Sequence, residues 1–319
     1  EPFYDIDWLK KQRRRTGDEN FCASIQTYLE DTIVNYLNIV YEKYPIHNLC
    51  LSGGVAANII MSLNIYERTN FKNIYVLPPM ADDGLAIGSA ILTAINLNQD
   101  VSWLKDYVMP YFGDEYTREQ VKLALDDFDN IIIKDLESTW PEEAAKSVSE
   151  GKICSLFQGK MEFGPRALGN RSILYQASDS SVNTWLNQYL NRSEFMPFAP
   201  MTIIDDVDKY YVNINGGMIP AKYMTMTFDC TQHMTDEAPA TVHVDKTARP
   251  QFITKNDYPD MYEVLSEYKK ITELSNIINT SFNMHEEPIV STELDAVESF
   301  IKSGIKWMAL GNYLVQNNF

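Results

Sequence analysis

Leu51-Ser52-Gly53-Gly54-Val55-Ala56-Ala57-Asn58 is a short apolar run that breaks on two glycines and opens into a helical pattern. Asn48 to Ser52 reads as a buried strand, and Ala56 to Glu67 as the helix behind it. Working outward, Ile74 to Leu77 is a second strand, Pro78-Pro79 a loop, and Leu85 to Leu97 a second helix. Upstream, Ile25, Tyr28, Leu29, Ile33, Tyr36 and Leu37 recur at helical spacing, so residues 18 to 44 read as one long helix. Strand, turn and helix in alternation predict an α/β layer with a mostly parallel sheet.

The chain has 319 residues, enough for two domains of ordinary size. With 27 basic and 44 acidic residues its formal charge is −17, which argues against a broad nucleic-acid surface, since neutralising phosphates takes clustered Lys and Arg. Cys22, Cys50, Cys154 and Cys230 are far apart and form no CxxC pair, so they read as reduced thiols of a cytoplasmic protein. No apolar run approaches the roughly 20 residues of a membrane span. Residues 98 to 130 lose clear periodicity and are acidic. A new unit starts at Thr139-Trp140-Pro141-Glu142, which reads as a capping box with a first-turn proline. Ile153 to Phe157, Met224 to Phe228, Thr241 to Val244 and Tyr313 to Gln316 read as strands. The face of Val182, Trp185, Leu186, Tyr189 and Leu190 reads as a helix, as does the segment from Ser291 to Gly304.

Three stretches carry chemistry. Gly53 and Gly54 let backbone approach a ligand, and the helix start offers free N–H groups to an anion. Asp82-Asp83-Gly84 puts two carboxylates at a helix start after a strand; the alternatives are N-capping and holding a metal that itself holds phosphates, with Gly88 admitting a nucleoside or a close helix. The third, Gln158 to Leu174 (QGKMEFGPRALGNRSIL), sets Lys160, Arg166 and Arg171 among Gly159, Gly164, Gly169 and Pro165. Cations on a stiff loop suit a small dianion, because a guanidinium fork matches phosphate oxygens.

These strings resemble the O-carbamoyltransferases, a family that includes enzymes acting on aminoglycosides, cephems and nodulation factors. SGGVAAN followed by a DDG loop is similar to the second lobe of actin-like ATPases. Arg192 to Pro200 (RSEFMPFAP) resembles a family string with a second arginine where Met196 stands here. Pro239 to Gln251 (PATVHVDKTARPQ) resembles another and supplies His243 and Arg249, with Lys246 in place of a usual glycine. Asn279 to Asn283 (NTSFN) and Glu287 to Ile289 (EPI) complete the pattern. The resemblance implies an α/β chain: half of an actin-like ATPase module over residues 1–110, a linker over 111–138, and an α+β YrdC-like domain over 139–319.

By the same resemblance, Lys160, Arg166, Arg171, Arg192, His243 and Arg249 handle carbamoyl phosphate. Gly53, Gly54, Asn58, Asp83, Gly84 and Gly88 meet ATP. Ser281 and Asn283 take the carbamoyl amide or a phosphate. Asp82 ligates a divalent metal, Fe or Mg. Carbamate and ATP then give carbamoyl adenylate, which an acceptor hydroxyl attacks. The acceptor implied is a hydroxylated small molecule, with a hydroxymethylated nucleobase or DNA left open. Family members carry a first lobe with a paired-histidine metal motif, and His47, His233, His243 and His285 form no HxxxH pair. The expectation is therefore a fragment, or a subunit whose partner chain supplies that lobe and shares the metal. Two rival readings are a tRNA threonylcarbamoyl-forming enzyme and a catalytically silent ATP-binding regulatory subunit.

Overall fold

The computed structural model describes residues 5–105, 109–190 and 198–318. The amino-terminal unit comprises α1 (Ile6–Thr16), α2 (Asp18–Lys43), β1 (Asn48–Leu51), α3 (Ile59–Arg68), β2 (Asn73–Val76) and α4 (Gly84–Asn96). Strands β1 and β2 pair in parallel, in register from Asn48↔Asn73 to Leu51↔Val76, and make a sheet of two strands. Val34 and Leu37 of α2 and Met61 and Ile65 of α3 are buried beside it. The helix expected from Ala56 begins differently. Gly54–Ala57 is one 3-10 turn, and α3 starts only after Asn58.

Next come α5 (Arg118–Asp126), β3 (Ile131–Asp135), α6 (Trp140–Ser149), β4 (Cys154–Phe157), β5 (Arg171–Gln176), α7 (Val182–Tyr189) and β6 (Ala199–Ile203). Then follow α8 (Val207–Tyr210), α9 (Met218–Lys222), β7 (Phe228–Asp229), α10 (Gln232–Glu237), β8 (Thr247–Ala248), β9 (Gln251–Ile253) and α11 (Pro259–Thr272). The last elements are β10 (Asn276–Ser281), α12 (Glu293–Ser303), β11 (Trp307–Leu310) and β12 (Tyr313–Asn317). Eight of the strands form one mixed sheet in the order β3-β12-β11-β4-β5-β10-β6-β9.

Both faces of that sheet are covered. On β5, Ile173 and Tyr175 enter one apolar cluster and Leu174 the other; on β11, Met308 and Leu310 enter the first and Ala309 the second. Side chains that alternate across a strand thus meet apolar layers on both sides. Helices α6 and α11 pack together over one face, and α5 packs with α12 over the other.

Several expectations are corrected. The stretch read as a linker, 111–138, contains α5, started by a capping box of Thr117 and Gln120, and β3, the edge strand of the large sheet. Thr139 does not cap α6 with its side chain; its hydroxyl donates to the Leu136 carbonyl at 2.9 Å. Helix α12 is capped by Thr292, one residue beyond Ser291. The strand expected at 224–228 shrinks to Phe228–Asp229, and the strand expected at 241–244 does not form: Thr241 ends a 3-10 turn that starts at Pro239, and no strand follows before Thr247.

The two units touch through backbone. The amide of Gly216 donates to the Tyr66 hydroxyl at 3.1 Å, and that hydroxyl donates to Asn213 Oδ1 at 3.3 Å. A Cβ on Gly216 would fall well inside van der Waals contact of the Lys72 carbonyl and the Tyr66 ring. Backbone at Lys72 cannot give way as a flexible side chain does. Gly216→Ala should therefore cost about 1–3 kcal/mol, the range for overpacking, read as a lower urea midpoint for the full chain.

Candidate active site

At one end of the large sheet, β10 finishes where its neighbours β5 and β6 begin; Ser281 pairs with Ser172 and Asn279 with Ala199. A cavity of about 270 Å³ opens there, and Arg166, Arg249, Asn279, Ser281 and Asn283 lie on its wall. Burial lowers the pKa of Arg166. Burial, and then the charge of Arg166 itself, push Arg249 down to about 9, so Arg249 stays charged at neutral pH. Among the described residues neither guanidinium has a hydrogen-bond or ion-pair partner, and the Arg166 Nε is buried without an acceptor. Two uncompensated, half-buried cations on one cavity wall repel each other, and an anion between them relieves that repulsion.

What aims Arg166 is a carboxylate that the motif reading passed over. Glu162 is buried, and its Oε1 accepts from the backbone amides of Leu168 (2.7 Å), Asn170 (2.8 Å) and Arg171 (3.2 Å). From the other side, Gln251 and Tyr111 both donate to the Leu168 carbonyl, at 2.8 and 3.1 Å, and Asn279 donates to that of Ala167 at 3.0 Å. The loop is pinned at nearly every residue after Arg166. Gly164 turns it with φ +137°, and a Cβ there would lie 3.0 Å from the Pro78 carbonyl, so the loop rests against the first unit.

Arg171 corrects the expectation that it meets carbamoyl phosphate. Its side chain is fully buried. Its guanidinium lies 3.7 Å from the Phe157 ring centre and donates to the carbonyls of Gln158 (2.6 Å), Asn170 (3.0 Å), Gly159 (3.2 Å) and Asp114 (3.5 Å). Burial pulls its pKa down to about 10, with Glu162 opposing. It is spent on holding backbone. Lys160 is exposed and off the cavity wall. Arg192, with the rest of 191–197, lies outside the described residues.

His243 is near the site but not on the cavity wall. Its Nδ1 is 3.0 Å from the Thr247 hydroxyl, which itself donates to Asp245 at 2.8 Å, so Nδ1 carries the proton and Nε2 is free to accept. Burial first, and Arg249 after it, lower the pKa of His243 against Asp245. Lys246, at φ +67° and exposed, occupies the left-handed corner of this turn, a backbone conformation that favours glycine.

Of the positions expected to meet ATP or, for Asp82, a metal, Gly53, Gly54, Asp82, Asp83 and Gly88 are exposed and Gly84 is buried. Asp83 stands at the N-cap of α4 without a side-chain capping bond. Asn58 is committed otherwise than expected: it caps α3 through Met61 N at 3.0 Å and exchanges hydrogen bonds with Gln26. Among the described residues no group of three His, Cys, Asp or Glu gathers. Asp82 and Asp83 therefore do not by themselves make a metal site. No helix among the described residues is long and apolar enough to cross a membrane.

Residues 145–317 match the carbamoyltransferase C-terminus model and residues 1–91 the carbamoyltransferase N-terminus model. The chain belongs to the carbamoyltransferase family. The uncharacterized protein MJ1058 of Methanocaldococcus jannaschii is 45% identical over 98% of this chain and 51% of its own length. Nodulation protein NolO of Bradyrhizobium diazoefficiens is 30% identical over 92% of this chain and 54% of its own. This carbamoyltransferase chain thus spans about half the length of the curated relatives it matches. Full-length HypF in the phosphate- and nucleotide-bound form gives a TM-score of 0.38 at 18% identity, covering 59% of this chain and 22% of its own, a likeness too slight to carry an argument. The N-terminal match shows that residues 1–91 already belong to the N-terminal region of the family.

The burial of Glu162 gives a direct test. Glu162→Ala leaves Arg171 uncompensated and three amides without an acceptor, and should cost roughly 3–5 kcal/mol. Glu162→Gln keeps an acceptor at Oε1 and should cost less. Urea unfolding of both variants measures the difference; equal, small losses would remove Glu162 from its place as the loop's anchor.

Proposed function

We propose that this chain binds carbamoyl phosphate at Arg166 and Arg249 as part of an ATP-dependent O-carbamoyltransferase. The observation that supports this is the pair of half-buried guanidinium groups on one cavity wall, neither with an ion-pair partner among the described residues, although Glu286 also lies on that wall. The phosphate of carbamoyl phosphate is a dianion of matching charge, and each arginine presents it a planar fork. Hydrolysis there releases phosphate and carbamate, with Nε2 of His243 a candidate acceptor for a proton from water. Carbamate and ATP give carbamoyl adenylate and pyrophosphate, and an acceptor hydroxyl takes the carbamoyl group, releasing AMP.

In this reading the unit that runs from α5 to β12 (residues 118–317) is the YrdC-like domain and residues 1–110 are one lobe of an actin-like module, with Gly53, Gly54, Asp83, Gly84 and Gly88 toward ATP. A divalent ion, Fe or Mg, belongs to it only as a group shared between Asp82 and ligands outside this chain. The rest of the module, in cis or on a partner chain, completes the cleft. The acceptor class is a hydroxylated small molecule, and the compartment is the cytoplasm.

Calorimetric titration of the full chain with carbamoyl phosphate tests the central step. Arg166→Ala and Arg249→Ala should each weaken binding about ten- to a hundredfold, the worth of a buried charge-assisted contact. Lysine should rescue poorly, because it keeps the charge and loses the fork. Arg171→Ala should instead unfold the chain. Wild-type affinity in the folded Arg166 and Arg249 variants removes the proposal.

Mass spectrometry tests the architecture. This chain with ATP and carbamoyl phosphate should make no carbamoyl-AMP until the rest of the module is added. Turnover by the chain alone would show that the ATP site is already whole.

A further inference from the structure

The two arginines provide for one end of a bound acyl phosphate; the structure also marks a place for the other end. Asn279 of β10 is 2% exposed and lies on the cavity wall. Its Nδ2 donates to the Ala167 carbonyl at 3.0 Å and to Gln251 Oε1 at 2.8 Å. Gln251 in turn donates its own amide nitrogen to the Leu168 carbonyl. Reversing the Asn279 amide would set its oxygen against two acceptors, so the network fixes Oδ1 as the free end. No donor reaches that buried Oδ1. Its neighbours are differently placed. The Ser281 hydroxyl donates to Asn283 Oδ1 at 2.6 Å, and the Asn283 amide nitrogen is spent on the carbonyls of Met284 (3.1 Å) and Glu287 (2.7 Å). Asn279 lies on a wall that also carries Arg166 and Arg249, and its unfilled acceptor is buried beside them; a ligand that satisfies both carries an anion and an N–H donor.

We propose that Asn279 is the specificity determinant of this cavity: its Oδ1 accepts an N–H of the carbamoyl amide while Arg166 and Arg249 take the phosphate. This rests on the reading of the cavity as a carbamoyl phosphate site and goes beyond it, because it states what the site rejects. Acetyl phosphate differs by a methyl in place of the amino group. It keeps the phosphate contacts, offers no donor, and leaves Oδ1 buried and unpaired. Sites built to hydrogen-bond a substrate N–H discriminate strongly against the analogue without it, whereas a merely apolar pocket does not. Asn279 also clamps the Arg166 loop, so its replacement slackens the loop and weakens every anion. The ratio between two acyl phosphates separates these effects, since loop slackening changes both affinities alike.

The test is calorimetry on the full chain with carbamoyl phosphate, acetyl phosphate and inorganic phosphate. The wild type should prefer carbamoyl phosphate over acetyl phosphate about ten- to a hundredfold. Asn279→Ala should bring that ratio near one while inorganic phosphate still binds. Gln251→Leu, which loosens the same loop but spares the acceptor, should weaken all three ligands and keep the ratio. If Asn279→Ala does not fold, the wild-type ratio and the Gln251 variant decide. Equal wild-type affinity for the two acyl phosphates, or an unchanged ratio in Asn279→Ala, overturns the role of Asn279 and leaves the anion site standing. Failure of all three ligands to bind overturns the anion site, and the role of Asn279 with it.

Discussion

The carboxylate of Glu162 and the guanidinium of Arg171 sit buried at the two ends of one loop, and each is solvated by backbone of the opposite polarity. Three amides converge on Glu162 Oε1 and four carbonyls on Arg171, with the Phe157 ring against the guanidinium. Removing either charge from water is expensive, on the order of several kcal/mol per ion. The cost is offset only because the loop adopts the one path that brings its polar backbone to both. That path carries Arg166 to the cavity wall. Gln251 and Asn279 extend the same network into β9 and β10, so the position of the candidate anion site follows from how two buried charges are satisfied.

The motif strings were legible because they combine rare residue types at fixed spacing, and the family match over 145–317 agrees with them. The direction of each side chain was not. Arg166 and Arg171 stand five residues apart in one glycine-rich string and look alike there; one lies on the cavity wall and the other turns into the protein. Glu162 was overlooked because an acid among cations reads as a salt-bridge partner, whereas its acceptor role is toward backbone that sequence does not display. Asn58 read as a ligand residue because a capping asparagine has the same side chain. The large sheet was legible only in part. Strands with apolar layers on both faces lose the period-two alternation that marks a half-exposed strand, and β5 lay hidden inside the motif string.

The small sheet raises a different point. Parallel strands are ordinarily covered on both faces, yet among the described residues β1 and β2 pair only with each other. Helix α4 buries only Gly84, and Leu85, Leu92 and Ile95 are 67%, 58% and 49% exposed. A chain that spans about half the length of its relatives and exposes an apolar helix beside a two-stranded parallel sheet agrees with the proposal of a cleft completed from elsewhere. The Gly164 contact with Pro78 bears on this, because it sets the loop that aims Arg166 against the turn leading to Asp82 and Asp83.

The contact between Tyr66 and Gly216 joins residues 150 positions apart. During synthesis at about 5–20 residues per second, helix α3 and strand β2 emerge many seconds before the backbone that receives them exists. Closing so long a loop must precede any gain from the contact, which makes such pairings slow. The amino-terminal unit is therefore made first and secured late. In the interval the surface of α3 and β2 that meets Gly216 stays uncovered.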